Sequence, residues 1–586
     1  MCGITAYKGK GDASFVVMEA LKKLEYRGYD SWGIASLGAE GIIETVKNVG
    51  KISSHTETGL RQSSVAIGHT RWATHGGVSE RNTHPHFDCG NEIAVIHNGI
   101  IENFDELRRE LGGRGHEFRS ETDTEVIAHL IEEFSSLGLK EAVRKAMERV
   151  KGRSAVIAIK KGYDGFVAAR TGSPLIVGIG ENEYFVSSDI PAFLDHTKNV
   201  MYLDDDEMVV VEKKPVFYSL KSGGLVEKRL ITIDWSADQA EKGEFEHFMI
   251  KEIMEQKDTI LRAINQNDSE IQKIANEINS SFGTFFTGCG TAGKVCFTGQ
   301  YIFSKIANKH VNYVNSSEFP NYEHFLRPET LLITVSQSGE TADVLEAVKT
   351  AKKKGVKIIS LVNVKGSTLD RQSDHTFLIN AGPEKAVAST KATTAQLAIL
   401  YLLAYATTGK IHEGKNLLLE TASKVNDMLN PRYLARIEEL AKIICKKSDI
   451  YIIGRGLNYP MALESAIKVQ EVSYIHGHGF AGGELKHGPL ALIEKGTPCI
   501  VLTAKDDVFP QIIGNAMEVK ARGGYIIGIG PEKHGVFDYW IKTPDVREAS
   551  PIVNIIPVQL LAYYLGVLRG CEIDYPRNLA KSVTVQ

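Results

Sequence analysis

Over residues 2–225 short apolar runs alternate with turn-forming residues: Val65 to Gly68, Ile93 to Ile96, Ala155 to Ile159, Leu175 to Gly178 and Met208 to Val211. Runs this short, bounded by turn residues, fit strands better than helices. Two stretches, Ser14 to Leu24 and Asp123 to Glu133, repeat their apolar positions at helical spacing. The pattern predicts an α+β domain over 2–225, followed by a linker over 226–243 whose most polar part is Asp234 to Gly243.

From about Phe245 the order becomes strand, glycine turn, helix. Thr284 to Thr287 runs into Gly288-Cys289-Gly290, and Leu331 to Ser336 runs into Gln337-Ser338-Gly339 and a helix over Ala342 to Lys354. Such alternation predicts parallel sheets flanked by helices. Tyr451 to Gly456 echoes Phe285 to Gly290 at an offset of 166 residues, and Cys499 to Thr503 with a helix ending at Arg522-Gly523 echoes Leu331 to Val335 with one ending at Lys354-Gly355. The two echoes predict a duplicated α/β domain, 244–430 and 431–570, with a tail over 571–586.

The length of 586 residues accommodates several cores of this size. A net charge of -4, from 68 basic and 72 acidic residues, supplies no global field for nucleic acid or a membrane surface. Leu397 to Ala406 is too short to span a bilayer, and Ile552 to Leu568 is interrupted by Asn554, Pro557 and Gln559. With no secretory pattern at the amino terminus, a cytoplasmic protein is expected. Seven cysteines, from Cys2 to Cys571, show neither CxxC nor Cys/His ligand spacing, which argues against disulfides and a zinc site.

Cys2 stands apart because of its position. Removal of Met1 would give it both a thiol and a free α-amine, a nucleophile with its own base. Arg71, in Thr70-Arg71-Trp72-Ala73-Thr74-His75-Gly76, suits an α-carboxylate, and the Ser120-Glu121-Thr122-Asp123 segment suits an α-ammonium. In His97-Asn98-Gly99, at the end of a strand, a side-chain amide and a backbone N–H could stabilise an oxyanion. Together with Cys2-Gly3-Ile4 and Tyr26-Arg27-Gly28-Tyr29-Asp30-Ser31, these segments resemble the N-terminal-nucleophile (αββα) glutaminase of the class II amidotransferases. The resemblance implies that Cys2 attacks the glutamine amide and that Asn98 and Gly99 form the oxyanion hole. Arg71, Thr74, His75, Gly99 and Asp123 would bind glutamine, and Trp72 would gate ammonia passage.

In the second half, Ser336-Gln337-Ser338-Gly339-Glu340-Thr341 places three hydroxyls at a helix start, where free N–H groups favour phosphate; a plain N-cap would need only one of them. The SGGxDS loop of ATP-dependent asparagine synthesis is missing, since Ser222-Gly223-Gly224-Leu225-Val226-Glu227 lacks its Asp-Ser. Lys468 and Glu471 share a helix face with Glu464, a spacing that on its own favours a surface charge ladder. These loops, with Gly288-Cys289-Gly290-Thr291, Val387-Ala388-Ser389-Thr390-Lys391, Gly483 to Leu490 and the tail Pro576 to Val585, resemble the SIS domains of glutamine-dependent sugar-phosphate amidotransferases.

By that resemblance the acceptor is fructose 6-phosphate, bound by Thr291, Ser336, Gln337, Ser338, Thr341, Val387 and Ser389. Glu471 would be the proton-transfer base with Lys468 beside it, His487 would open the sugar ring, and Lys581 would form a Schiff base with the C2 carbonyl. The resemblance further implies a homodimer in which the His487 loop reaches the neighbouring subunit, nitrogen transfer as channelled ammonia, and neither metal nor organic cofactor. Ala292 stands where the family has a serine, which leaves room for another ketose phosphate or a deglycase reaction. A phosphosugar sensor without turnover is the alternative of another class, but it would not keep Cys2, Glu471, His487 and Lys581 together.

Overall fold

The computed structural model describes residues 2–38, 41–233 and 242–584. Most of the expected linker, 234–241, therefore lies outside the described residues, as does the end of the tail at 585–586. The chain divides into two units, 1–240 with 580–586, and 241–579.

The first unit is built on an eight-stranded and a seven-stranded sheet, whose paired strands are antiparallel. The expected strands appear as Val65–Arg71, Ile93–Gly99, Ser154–Lys160, Ile176–Ile179 and Glu207–Val211. Their runs are apolar throughout because both faces are buried. Ile4, Ala6, Ile67, Ala94, Ile96 and Ile157 meet in the core between the sheets. The alternate residues Ile93, Val95, Val156 and Ala158 pack with the helices Phe104–Gly113, Glu125–Glu133 and Leu139–Arg149. On the outer face of the other sheet lies the helix Ala13–Lys23, whose Val17 and Leu21 sit so close to Gly68 that a Cβ there would meet them at 2.5 and 2.8 Å. The layer order is αββα.

The second unit holds two five-stranded parallel sheets. The first runs Asn312–Asn315, Gly283–Gly288, Thr330–Ser336, Lys357–Val362, His375–Leu378; the second runs His476–Ala481, Asp449–Gly454, Pro498–Leu502, Tyr525–Gly530, Tyr539–Lys542. Numbered within each repeat, both orders are 2-1-3-4-5, so the duplication read from the two echoes is a duplication of topology. One core joins both repeats, with Phe286, Val335 and Leu400 from the first and Ile452, Val469 and Ile556 from the second.

Two helices of this core, Lys391–Thr407 and Ser550–Leu568, are buried almost all round, as expected of helices without a polar face. The second is continuous through Asn554, Pro557 and Gln559, which interrupt its apolar run but not its helix. Asn554 bonds Thr543, Asn458 and the Thr503 carbonyl, and Gln559 bonds Gln256, so their polar groups are satisfied inside the protein. Among the described residues it is the one helix long and apolar enough to cross a membrane, and 83% of its apolar window is buried within the fold.

Candidate active sites

In the first unit Cys2 opens the strand Gly3–Lys8, which pairs with Val65–Arg71 so that Gly3 faces Thr70. This register delivers the thiol to the end of the neighbouring strand, where Sγ accepts a hydrogen bond from the Trp72 N–H at 3.2 Å. Burial pushes the thiol above its ordinary range, and the Trp72 N–H and the Arg71 guanidinium pull it back. One amide N–H of Asn98 donates to the Cys2 carbonyl at 2.9 Å, placing the expected oxyanion donor beside the expected nucleophile. Gly99 has φ +140°, and a Cβ there would lie 1.9 Å from the Arg153 carbonyl, so the turn at the end of this strand requires glycine.

Arg71 is buried and spends its guanidinium on the loop it precedes: Nη1 donates to the Gly77 carbonyl at 3.0 Å, and Nη2 to those of His75 and Gly76 at 2.5 and 2.9 Å. Asp123 accepts from the Ile101 N–H at 2.9 Å, two residues beyond Gly99. Both expected substrate ligands thus also shape the backbone around the site. Trp72 and His75 are half-buried, and Thr74 is exposed. His75 packs edge-on against Phe104, with centroids 5.1 Å apart.

Two supports were not read from the sequence. Asn82 ties the two substrate loops together, donating to Glu121 at 3.0 Å and to the Gly77 carbonyl at 3.1 Å, and accepting from the Glu121 N–H at 2.9 Å. Beneath them His97 bonds Thr124 at 2.9 Å and Ser154 at 3.2 Å, His84 bonds Thr124 at 3.0 Å, and His86 bonds Thr122 at 3.0 Å. Burial holds His69, His84 and His97 below the ordinary imidazole range and takes His86 down to about 3, so the ladder is neutral at physiological pH. Its signal in the sequence was the density of histidines between 69 and 97.

In the second unit, the carboxyl ends of the strands Gly283–Gly288 and Thr330–Ser336 flank the point where the order of the first sheet reverses, the crevice in which open α/β sheets bind ligands. The Ser336 to Thr341 loop lies there. Ser336 Oγ accepts from the Gly339 N–H at 3.0 Å, and Ser338 Oγ from the Glu340 N–H at 3.2 Å. Thr341 precedes the helix Ala342–Lys353 but makes no side-chain capping bond. The plain N-cap reading therefore fails at Thr341, while Ser336 and Ser338 shape the loop through N–H groups of its own backbone. Glu384 organises the adjoining loop, accepting from Ser389 Oγ at 3.0 Å and from the Thr390 and Ala392 N–H groups at 2.9 and 3.1 Å. Val387 is fixed through its N–H to the Asp574 carbonyl at 2.9 Å.

Lys468, Glu464 and Glu471 lie on the helix Tyr459–Ser473, and they are no surface ladder. Lys468 and Glu464 are fully buried. The Lys468 ammonium sits 2.6 Å from Glu471 and 3.5 Å from Glu464. Burial alone would lower the lysine, but Glu471, Glu464 and Glu384 hold it above its ordinary range, so it stays charged. Glu464 is pushed up to about 7 by burial, despite Lys468 and the Thr291 hydroxyl that donates to it at 3.0 Å. Thr291, on the first turn of the helix Gly290–Ala307, thus joins the first repeat to the helix Tyr459–Ser473 of the second.

His487 is exposed on the turn Gly482–His487. Lys581 belongs to the terminal segment that packs with the first unit, where Arg153 Nε donates to the Thr584 carbonyl at 2.9 Å. The second unit taken alone therefore gathers Thr291, Lys468 and Glu471, without Lys581.

The glutaminase-like layers and the two phosphosugar-type sheets define a glutamine amidotransferase joined to paired SIS domains. Residues 69–195 match the glutamine amidotransferase domain family, and residues 278–406 and 442–569 each match the SIS domain family. The chain belongs to the glutamine–fructose-6-phosphate aminotransferase (isomerizing) family. It is 44% identical to the Pyrococcus horikoshii member and 40% identical to that of Thermus thermophilus, each alignment covering all of both chains. The C-terminal domain of glucosamine-fructose-6-phosphate aminotransferase from Francisella tularensis superposes with a TM-score of 0.54 at 31% identity, over 57% of this chain and 99% of that one.

Proposed function

We propose that this chain hydrolyses glutamine to glutamate and ammonia at Cys2 and uses the ammonia to convert fructose 6-phosphate into glucosamine 6-phosphate. Cys2 Sγ attacks the glutamine amide carbon, and Asn98 and the Gly99 N–H take the developing oxyanion. Arg71, Thr74, His75 and Asp123 hold the amino-acid end, and Trp72 gates ammonia. The hydroxyls and N–H groups of Ser336, Gln337, Ser338 and Thr341 receive the phosphate, with Thr291, Val387 and Ser389 around the sugar. His487 opens the ring of the neighbouring subunit's sugar in a homodimer, and Lys581 forms the imine at C2. Glu471 then moves a proton between C1 and C2.

The observation that carries this reading is the buried Lys468, 2.6 Å from Glu471, on a helix that Thr291 of the other repeat reaches through Glu464. A fully buried ammonium held by two carboxylates is costly unless it serves a site. Two variants separate the half-reactions. Glu471→Gln should abolish amino-sugar formation and keep glutamine hydrolysis, and Cys2→Ala should abolish glutamine use. Loss of hydrolysis in Glu471→Gln, in a protein that still folds, would contradict the two-site reading.

A further inference from the structure

Cys89, His116, His129 and Glu132 come from three separate stretches of the first unit and converge on one point, with their ligand-capable atoms all within 4.8 Å of one another. Cys89 follows the strand His86–Phe87, His116 follows the helix Phe104–Gly113, and His129 and Glu132 lie one turn apart on the helix Glu125–Glu133. Cys89 Sγ is 3.5 Å from His116 Nδ1 and 3.6 Å from His129 Nδ1. Zinc bonds of about 2.3 Å to sulfur and about 2.0 Å to nitrogen, at a tetrahedral angle, place sulfur and nitrogen about 3.5 Å apart. Glu132 Oε2 lies 2.9 and 3.1 Å from the same two nitrogens, a few tenths inside the about 3.3 Å that tetrahedral zinc would set. That oxygen also accepts the Cys89 N–H, so three nitrogens crowd one carboxylate oxygen.

The far ring nitrogens point at carboxylates too. His116 Nε2 is 3.0 Å from Glu133, and His129 Nε2 is 3.7 Å from Glu125. A carboxylate hydrogen-bonded behind the imidazole, as Glu133 is behind His116, is the arrangement that orients histidine ligands of a metal. His129 is fully buried and His116 nearly so. We propose that Cys89, His116, His129 and Glu132 form a structural zinc site.

Four protein ligands close the coordination shell, so the ion fastens structure and leaves no position for a substrate. What it fastens follows from Glu125, which backs His129 and also accepts the Arg119 N–H, the Ser120 N–H and Ser120 Oγ, each at 2.7 Å. These bonds set the start of the loop that ends at Asp123. The ion would thus clamp the hairpin at Cys89, the segment at His116 and the helix beneath the Ser120 to Asp123 loop.

The test uses the full chain stripped with a chelator and titrated with Zn²⁺ alone against a competing chromophoric chelator. Wild type should bind about one tight equivalent, with the affinity lowered more than about 100-fold in Cys89→Ala and His116→Ala and about 10- to 100-fold in Glu133→Gln. Co²⁺ in place of zinc should give a thiolate charge-transfer band that Cys89→Ala removes. All three side chains keep some exposure, so the variants should fold, and matching circular dichroism spectra will verify that they do. Absence of tight binding in wild type, or binding that survives Cys89→Ala, overturns the assignment.

Discussion

The Thr291 hydroxyl donates to Glu464 at 3.0 Å across 173 residues of sequence. Through this bond the helix start of the first repeat touches the carboxylate ladder of the second, and Glu464 in turn faces Lys468 at 3.5 Å. The two copies of the duplicated domain are thereby joined through a hydroxyl of one and the buried charge ladder of the other.

Glu464 gives a pH signature of stability. Its carboxyl is raised from 4.5 to about 7, so it binds its proton more tightly in the folded chain than in the unfolded one. The resulting stabilisation is complete below about pH 4.5 and is lost as the pH rises through about 7. With roughly 1.4 kcal/mol for each pH unit separating the two values, it is on the order of 3 kcal/mol at most. Glu464→Gln should flatten the wild-type decline between these pH values in denaturant unfolding. A variant with the same slope as wild type would show that Glu464 is not the group concerned.

Asn98 predicts a loss confined to the glutaminase. Asn98→Ala removes one oxyanion donor, for which kcat should fall by about 10²- to 10³-fold with little change in KM for glutamine. Because its amide also holds the Cys2 carbonyl, thermal stability should be measured in parallel. A change in KM alone would assign Asn98 to substrate binding.

Ser336 predicts the opposite separation. Its hydroxyl pins the Gly339 N–H and stands 3.4 Å from Thr341, shaping the crevice rather than meeting the reacting carbons. Ser336→Ala should raise KM for the sugar phosphate by about tenfold, the value of one hydrogen bond to a charged group, and leave glutamine hydrolysis without acceptor unchanged. Equal loss in both half-reactions would point to misfolding of the loop.

Most of the architecture was legible in the chain because its signals are local. Apolar runs with both faces buried marked the strands, and glycine turns after strands marked the parallel repeats. Sites formed within one segment, such as Asn98-Gly99 or Ser336 to Thr341, were legible for the same reason. Periodicity could not show whether Lys468 faces solvent, because helical spacing is the same for a buried ladder and an exposed one; burial comes from the packing of Tyr459–Ser473 among several elements, Ser550–Leu568, Gly290–Ala307 and the strands of the second sheet included. The clamp made by Asn82 and the cluster around Cys89 left no spacing pattern, since each is gathered from separate segments, and the histidine ladder left only a density of histidines between 69 and 97. The partners of Asn554 and Gln559 inside the core were hidden for a related reason, as they are not sequence neighbours.

The central claim is that one chain moves the amide nitrogen of glutamine onto a ketose phosphate. The most direct measurement is mass spectrometry of the products after incubation with fructose 6-phosphate and amide-¹⁵N glutamine. The account predicts ¹⁵N-labelled glucosamine 6-phosphate and glutamate in equal amounts. Glutamate without labelled amino sugar would contradict it and turn attention to other phosphorylated acceptors, beginning with the missing hydroxyl at Ala292.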